Sequence, residues 1–292
     1  MTRHALCLAL VGLAVAGCES GPVQSKPQVV ATVYPLWEFS RQVAGARADA
    51  VALVPPGVEP HDWEPSPRDV SLAQRATVFV HSGTGLDAWS QKLLADGTSQ
   101  RVVVNVSHGL PLIQTEGVTD PHIWLDPVLA RAQVRAIEAG LAKADPPGRE
   151  IYAANARAYA ARLDGLDEAF RTGLQDCVRR DMVTAHAAFG YLARRYRLTE
   201  LPLMGLSPEA EPNPADMAAL VKRARELKVT HIFYEPLVSP RVAETLGREI
   251  GARILPLNPV EGLTGQDSES GQGYIESMMA NLANLRTALD CR

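Results

Sequence analysis

Neutral imidazole nitrogen is a donor that zinc and its late first-row neighbours accept readily. Three histidines of this chain stand where a metal could use it: His61, His122 and His186. His61 lies in Leu53-Val-Pro-Pro-Gly-Val-Glu-Pro-His-Asp-Trp-Glu-Pro-Ser-Pro67, too rich in proline to form a helix or join a ladder, so one imidazole is held in a stiff loop. His122 sits in a second proline-bracketed loop, Asp120-Pro-His-Ile-Trp-Leu-Asp-Pro127, and His186 ends the run Met182 to Ala185. A lone loop histidine is equally well explained as solvated, and separation along the chain does not establish that the three meet.

The neighbours divide in the same way. Trp63 and Trp124 beside two of the histidines suit a site that excludes water, and suit an ordinary core as well. Asp62 and Asp126 could orient imidazoles or be surface charges. His81 and His231 fall in strand-like runs and read as core or supporting residues, His108 as a solvated loop residue, and His4 belongs to the N-terminal segment.

The elements that must position these side chains follow from the apolar pattern. Val29 to Val33, Ala50 to Val54, Thr77 to His81 and Arg101 to Val106 read as strands, with helices after Pro35 and Pro67 and from Gly85 to Leu94. Strands alternating with helices at this spacing predict βαβ units on a parallel sheet. Pro127 to Ala144 reads as a helix stopped by Asp145-Pro-Pro-Gly148. From Arg149 to Asp176 there is no proline and a steady supply of Ala, Arg, Leu and Glu, which predicts one rigid helix about 40 Å long at about 1.5 Å per residue. The second half repeats the pattern: strands at Asp181 to Ala185, Thr230 to Tyr234 and Arg253 to Leu257, and helices at Ala187 to Tyr196, Pro214 to Lys228 (capped by Asn213), Pro240 to Ile250 and Gly273 to Leu289. The fold class predicted is α/β, two similar lobes with parallel-type sheets joined by the long helix, with a metal cleft between them. Ligands in such sheets lie outside the carboxyl ends of the strands. The expected divisions are residues 29–145 for the first lobe, 146–178 for the linking helix and 179–292 for the second lobe.

Of 292 residues 46% are hydrophobic and 21% charged, and the net charge of -4 offers no basic surface for nucleic acid. Arg3 and the short apolar run Ala5 to Ala16 read as a signal peptide, residues 1–17. Val15-Ala-Gly-Cys18 resembles the lipobox of bacterial lipoproteins, which implies lipidation at Cys18 and a tether over 18–28. The expected location is the cell envelope outside the cytoplasm, anchored to a bacterial membrane on its periplasmic side. With Cys7 removed and Cys18 lipidated, Cys177 and Cys291 remain in an oxidising compartment and are expected to form a disulfide; two buried thiols are the alternative.

The order of motifs carries a resemblance. Val30-Ala-Thr-Val-Tyr-Pro-Leu36, Pro60-His-Asp-Trp-Glu64, Asp120-Pro-His-Ile-Trp-Leu-Asp126, Ala185-His-Ala-Ala-Phe-Gly-Tyr191, Gly205-Leu-Ser-Pro-Glu-Ala-Glu-Pro212 and Phe233-Tyr-Glu-Pro236 resemble the periplasmic or lipid-anchored solute-binding proteins of zinc and manganese ABC importers. The resemblance implies a metal held between lobes by His61, His122 and His186 plus a carboxylate from the second lobe. It also implies a membrane permease with its ATPase as partners, a monomer, and lobe motion limited by the stiff helix. Where that family commonly has aspartate, this chain has Asn258, so the fourth position is expected at Asn258, at Glu59, Glu209, Glu211, Glu235 or Glu261, or at a water.

Three nitrogen donors with at most one oxygen favour Zn2+ over Mn2+, which prefers oxygen. The loop from Ser107 to Thr119 holds only His108 and lacks the histidine-rich insertion common among zinc importers of that kind. A zinc-dependent hydrolase shares the ligand count, but no His-Glu-x-x-His pair, Gly-x-Ser-x-Gly elbow or phosphate-binding glycine loop is present. The chain is therefore read as a carrier and not an enzyme; an adhesin on the same fold stays open, because fold does not settle function.

Overall fold

The structure is a computed structural model, and it describes residues 26–95, 101–115, 117–208, 214–265 and 272–292. The signal segment, Cys18, the tether up to residue 25, Glu209, Glu211 and Asn213 lie outside the described residues. Two four-stranded sheets organise the rest. The first comprises β1 (Gln28–Ala31), β2 (Asp49–Ala52), β3 (Val78–His81) and β4 (Val102–Asn105) in the order β2-β1-β3-β4, all parallel, with Val30 opposite Val51 and Phe79. The strands are short apolar runs with both faces covered, as parallel sheets require.

Helices fill the crossovers: α1 (Tyr34–Ala44), α2 (Pro67–Arg75) and α3 (Ser90–Ala95). Proline opens α1 and α2, where a missing N–H costs nothing, and Ser66 with Asp69 forms a capping box on α2. The span predicted as one helix from Gly85 is broken: a single 3-10 turn at Gly85–Asp87 precedes α3. Asp87 there turns inward and accepts the Thr32 hydroxyl at 2.7 Å, which ends the turn. A hairpin, β5 (Gln114–Thr115) with β6 (Val118–Thr119), interrupts the loop ahead of His122 and is too short to leave a periodic signal.

Asp126 caps α4 (Pro127–Ala144), accepting from Val128 and Leu129 N–H. The predicted spine is α5 (Arg149–Gly173), whose 25 residues span about 37 Å. It lies along α1 and α4; Asp145, ahead of it, holds Arg47 through two bonds of 2.7 and 2.9 Å and the Tyr152 hydroxyl at 2.7 Å. The second sheet, β7 (Asp181–Thr184), β8 (Thr199–Pro202), β9 (His231–Tyr234) and β10 (Arg253–Pro256), has the order β10-β9-β7-β8, again all parallel. Read from its other side it repeats the first: second strand, first, third, fourth. Strand β8 was not anticipated; its Glu200 and terminal Pro202 are poor strand formers, tolerated because it is an edge. Helices α6 (Gly190–Tyr196), α7 (Pro214–Glu226), α8 (Arg241–Ile250) and α9 (Tyr274–Leu289) complete the second lobe.

One continuous core runs through both lobes and the spine, from Val29, Leu36 and Phe39 through Trp124, Tyr159 and Phe170 to Phe233, Leu257 and Tyr274. Smaller clusters line the outer faces of each sheet. No helix among the described residues is long and apolar enough to cross a membrane.

Cys177 and Cys291 are joined by a disulfide, as predicted, across a separation of 114 residues. It ties the end of α9 to the segment after the spine and closes nearly all of the second lobe in one loop. Reduction, or Cys177→Ser with Cys291→Ser, is expected to lower unfolding stability by about 2–4 kcal/mol. Denaturation followed with and without reductant measures this, and an unchanged midpoint would show the bridge to be dispensable.

Candidate metal centre

Loops beyond four of the strands converge on one point between the sheets. His61 comes from the proline loop after β2, His122 from the loop beyond β4, His186 from the turn after β7, and Glu261 from the loop after β10. The two His-bearing turns are fixed locally. Asp120 accepts both the His122 backbone N–H at 2.9 Å and its ring Nδ1 at 2.8 Å. Glu235, at the end of β9, does the same for His186, meeting the backbone N–H at 3.1 Å and Nδ1 at 2.7 Å. With Nδ1 so engaged, each ring turns Nε2 toward the other.

The four side chains place one donor atom each within 4.8 Å of one another. His122 Nε2 is 3.3 Å from His186 Nε2. Glu261 lies 2.8 Å from His122 Nε2, 3.3 Å from His186 Nε2 and 3.4 Å from His61 Nε2. Donors at about 2.0–2.1 Å from a tetrahedral zinc are separated by about 3.3–3.4 Å; three of these four separations match, and small side-chain shifts would bring the cluster to a zinc cage. His61 Nε2 and both Glu261 oxygens are buried, and their contacts at bonding range fall within the four-donor cluster itself. Buried polar atoms are ordinarily paired, and a cation is what would satisfy these. His122, His186 and Glu261 are almost wholly buried, while the His61 side chain keeps 9% of its surface, which makes its loop the solvent side of the cage.

The electrostatics have the same source. Burial alone pushes His122 down, but the Glu261 charge and its bonds to Asp120 and Glu261 outweigh it and raise it to about 9. His186 is raised well above its ordinary value on balance, burial opposing the bonds to Glu235 and Glu261. Glu261 is lowered well below the usual carboxylate range, because the imidazoles overcome its burial.

The sequence leaves the fourth position open among Asn258, five acids and a water. The Asn258 side-chain oxygen accepts the Val260 N–H at 2.8 Å and its backbone is bound by Asn281. Glu59 accepts the His61 N–H at 3.1 Å and is pushed by burial, then by the Glu261 charge, to about 8. Glu235 supports His186. Among the described residues Glu261, named among the alternatives, is the acid that reaches the histidines; Glu209 and Glu211 lie outside them.

Of the two acids read as either orienting imidazoles or surface charges, neither orients a histidine. Asp62 is exposed and Asp126 caps α4, within 3.4 Å of Arg195, while Asp120 and Glu235 do the orienting. Proximity in the motif Asp120-Pro-His122 could have suggested the first; Glu235, 49 residues from its partner, left no local signal. Trp124 is buried edge-on to His122 at 5.6 Å, and Trp63 packs on Trp89. His81 is buried against Phe79 and His108 is exposed, in line with the sequence reading, whereas His231 is only half-buried, beside the Thr230 hydroxyl, and not a core residue. Helix α6 begins at Gly190, later than predicted, because residues after His186 turn sharply to bind Gly205 and Glu200. A Cβ at Gly190 would come within 2.8 Å of the Asp120 carboxylate, so glycine lets the second lobe close on the acid that orients His122. Tyr191 ties the same contact by donating to the Asp120 carbonyl at 3.0 Å.

Twin parallel sheets of identical strand order, bridged by a long helix and meeting at a four-donor cage, are the build of the bilobed metal-binding proteins of the solute-binding class. Within that class the chain belongs to the family described as ZnuA, zinc-uptake complex component A periplasmic, whose sequence pattern matches residues 29–288. The high-affinity zinc uptake system protein ZnuA of Bacillus subtilis (strain 168) is 37% identical over an alignment covering 98% of this chain and 95% of that protein. The zinc-binding lipoprotein AdcA of Streptococcus pneumoniae is 35% identical across 99% of this chain, which spans 62% of that longer protein. The crystal structure of the Zn(II)-bound ZnuA-like domain of AdcA superposes with a TM-score of 0.83 at 37% identity, covering 91% of this chain and all of that domain.

Proposed function

We propose that this chain is the substrate-binding component of an ABC-type zinc importer: it captures Zn2+ outside the cytoplasm and delivers it to a membrane permease driven by an ATPase. The observation that carries the reading is the cage itself, His61, His122, His186 and Glu261 gathered at one point, with the outer nitrogens of His122 and His186 held by Asp120 and Glu235. The family supports it, and so do relatives named for zinc. Three imidazoles and one carboxylate suit zinc better than manganese, and the ion is cargo to be released, not a reagent to be turned over.

The rest of the reading belongs to the same proposal. Residues 1–17 are a signal peptide, Cys18 carries lipid, and 18–28 tethers a monomer to the periplasmic side of a bacterial membrane. Residues 29–145 and 179–292 are the two lobes and 146–178 the link. An adhesive role is the second reading: the laminin binding protein of Streptococcus agalactiae, described as having adhesin and metal transporting activity, is 31% identical with a TM-score of 0.85, but no surface feature among the described residues favours it.

Protein stripped of metal is expected to bind one zinc per chain reversibly, read by titration and by metal analysis after gel filtration. Zinc failing to bind at stoichiometric concentration would sink the proposal. Zinc-dependent hydrolysis of a simple ester would favour an enzyme instead.

A further inference from the structure

The loop that brings Glu261 to the histidines is held on several sides. Asn281 on α9, itself buried, spans the Asn258 backbone: its Oδ1 accepts the Asn258 N–H at 2.8 Å and its Nδ2 donates to the Asn258 carbonyl at 2.6 Å. The Asn258 side chain accepts from Val260 N–H at 2.8 Å, closing a turn in which Val260 has φ +57°. Val260 is β-branched and buried, and such residues avoid this left-handed region because the branched Cβ crowds the backbone. Between these two positions the Pro259 carbonyl accepts the Trp124 indole N–H at 2.8 Å, and the Trp124 carbonyl in turn accepts the Tyr274 hydroxyl.

We propose that Asn258, Asn281 and Trp124 are positioning residues for Glu261: they hold Val260 in its left-handed turn, and that turn aims the carboxylate at the three imidazoles. The inference rests on the zinc-binding reading and says how this chain completes its cage. A β-branched residue released from such a turn falls back to extended or right-handed backbone, which sends the following residue in a different direction and carries Glu261 off its donors. Binding groups displaced by about 1 Å lose much of their value, and losing a residue that supports a ligand typically costs about 10–100-fold in metal affinity.

The test compares wild type, Asn258→Ala, Trp124→Phe, Val260→Gly and the double variant Asn258→Ala/Val260→Gly. Zinc affinity is measured by chelator competition, and Co2+ is used as a spectroscopic probe of coordination geometry. Asn258→Ala is expected to lose about 10–100-fold in zinc affinity and to lose intensity in its tetrahedral cobalt bands. Val260→Gly, which gives up a buried side chain but takes positive φ freely, is expected to lose less zinc affinity than Asn258→Ala. The double variant is expected to recover most of what Asn258→Ala loses, an outcome that general destabilisation would not produce.

Wild-type affinity and cobalt spectrum in Asn258→Ala would overturn the proposal, as would a double variant no better than Asn258→Ala. Should Asn258→Ala not fold, Trp124→Phe decides: it keeps the ring, removes the donor to Pro259, and must weaken zinc binding and alter the cobalt bands. Wild type that fails to bind zinc strikes the functional reading instead, a separate result.

Discussion

His186→Ala is expected to weaken zinc binding by about 3 kcal/mol or more, roughly 100-fold or greater, from the share of one donor in a four-ligand zinc site. The loss exceeds that of a ligand alone. Glu235 is buried and bonded to both the backbone N–H and Nδ1 of His186, so removing the ring leaves a carboxyl group with half its partners in a dry interior. His122→Ala carries the same double cost through Asp120. His61→Ala should be the mildest of the three, because its side chain keeps 9% of its surface and among the described residues no carboxyl group accepts from its Nδ1, so a water can replace it. His108→Ala, on an exposed loop residue, serves as the control. Chelator competition measures all four. Equal affinities for His186→Ala and His108→Ala would show that zinc binds elsewhere.

The sequence made the three histidines legible because each stands at a loop that must follow a strand, and parallel sheets collect their carboxyl ends at one edge. The spine was legible for a different reason: a long run free of proline and rich in helix formers has few other ways to fold. What the sequence did not disclose was direction. Whether Asn258 or Glu261 faces the metal depends on a turn at Val260 whose left-handed φ no propensity predicts, since valine is among the residues least suited to it. Asn258 was therefore sought as a ligand when it serves as the brace. Glu235 was hidden because its partner lies on a neighbouring strand of the sheet, a contact set by strand order and not by spacing. Strand β8 was missed because Glu200, half-buried and carried up to about 7 mainly by desolvation, satisfies the Thr184 hydroxyl and Phe189 N–H from a strand that reads as loop.

Metal-free protein is expected to lose stability as pH rises from about 6.5 to about 9, and zinc should abolish most of that loss. His122 is held at about 9 against an ordinary 6.5 by the carboxyl groups around it, in spite of its burial. A histidine whose folded pKa is raised stabilises the fold fully below the unfolded value and loses that contribution as pH climbs through the folded one. For His122 this is on the order of 3 kcal/mol, and His186 moves in the same direction. Glu261, depressed, contributes above its ordinary 4.5 and fails only in acid, so it leaves this window alone. Glu59 and Glu200, raised by burial to about 8 and about 7, also destabilise with rising pH, but from 4.5 upward. Glu261→Gln separates the contributions, because it removes the charge that raises His122 and should flatten the upper part of the window. The measurement is the denaturant midpoint against pH with chelator and with zinc; metal-free stability that is flat or rising toward pH 9 would refute it. The same chemistry requires zinc to displace protons, close to two per ion near pH 7, read from calorimetry in buffers of different ionisation enthalpy. Two imidazolium ions carry the charge of one Zn2+. Asp120, Glu235 and Glu261 thus surround the same total charge in the empty and loaded states, which lets the cage keep its shape while protons and metal exchange.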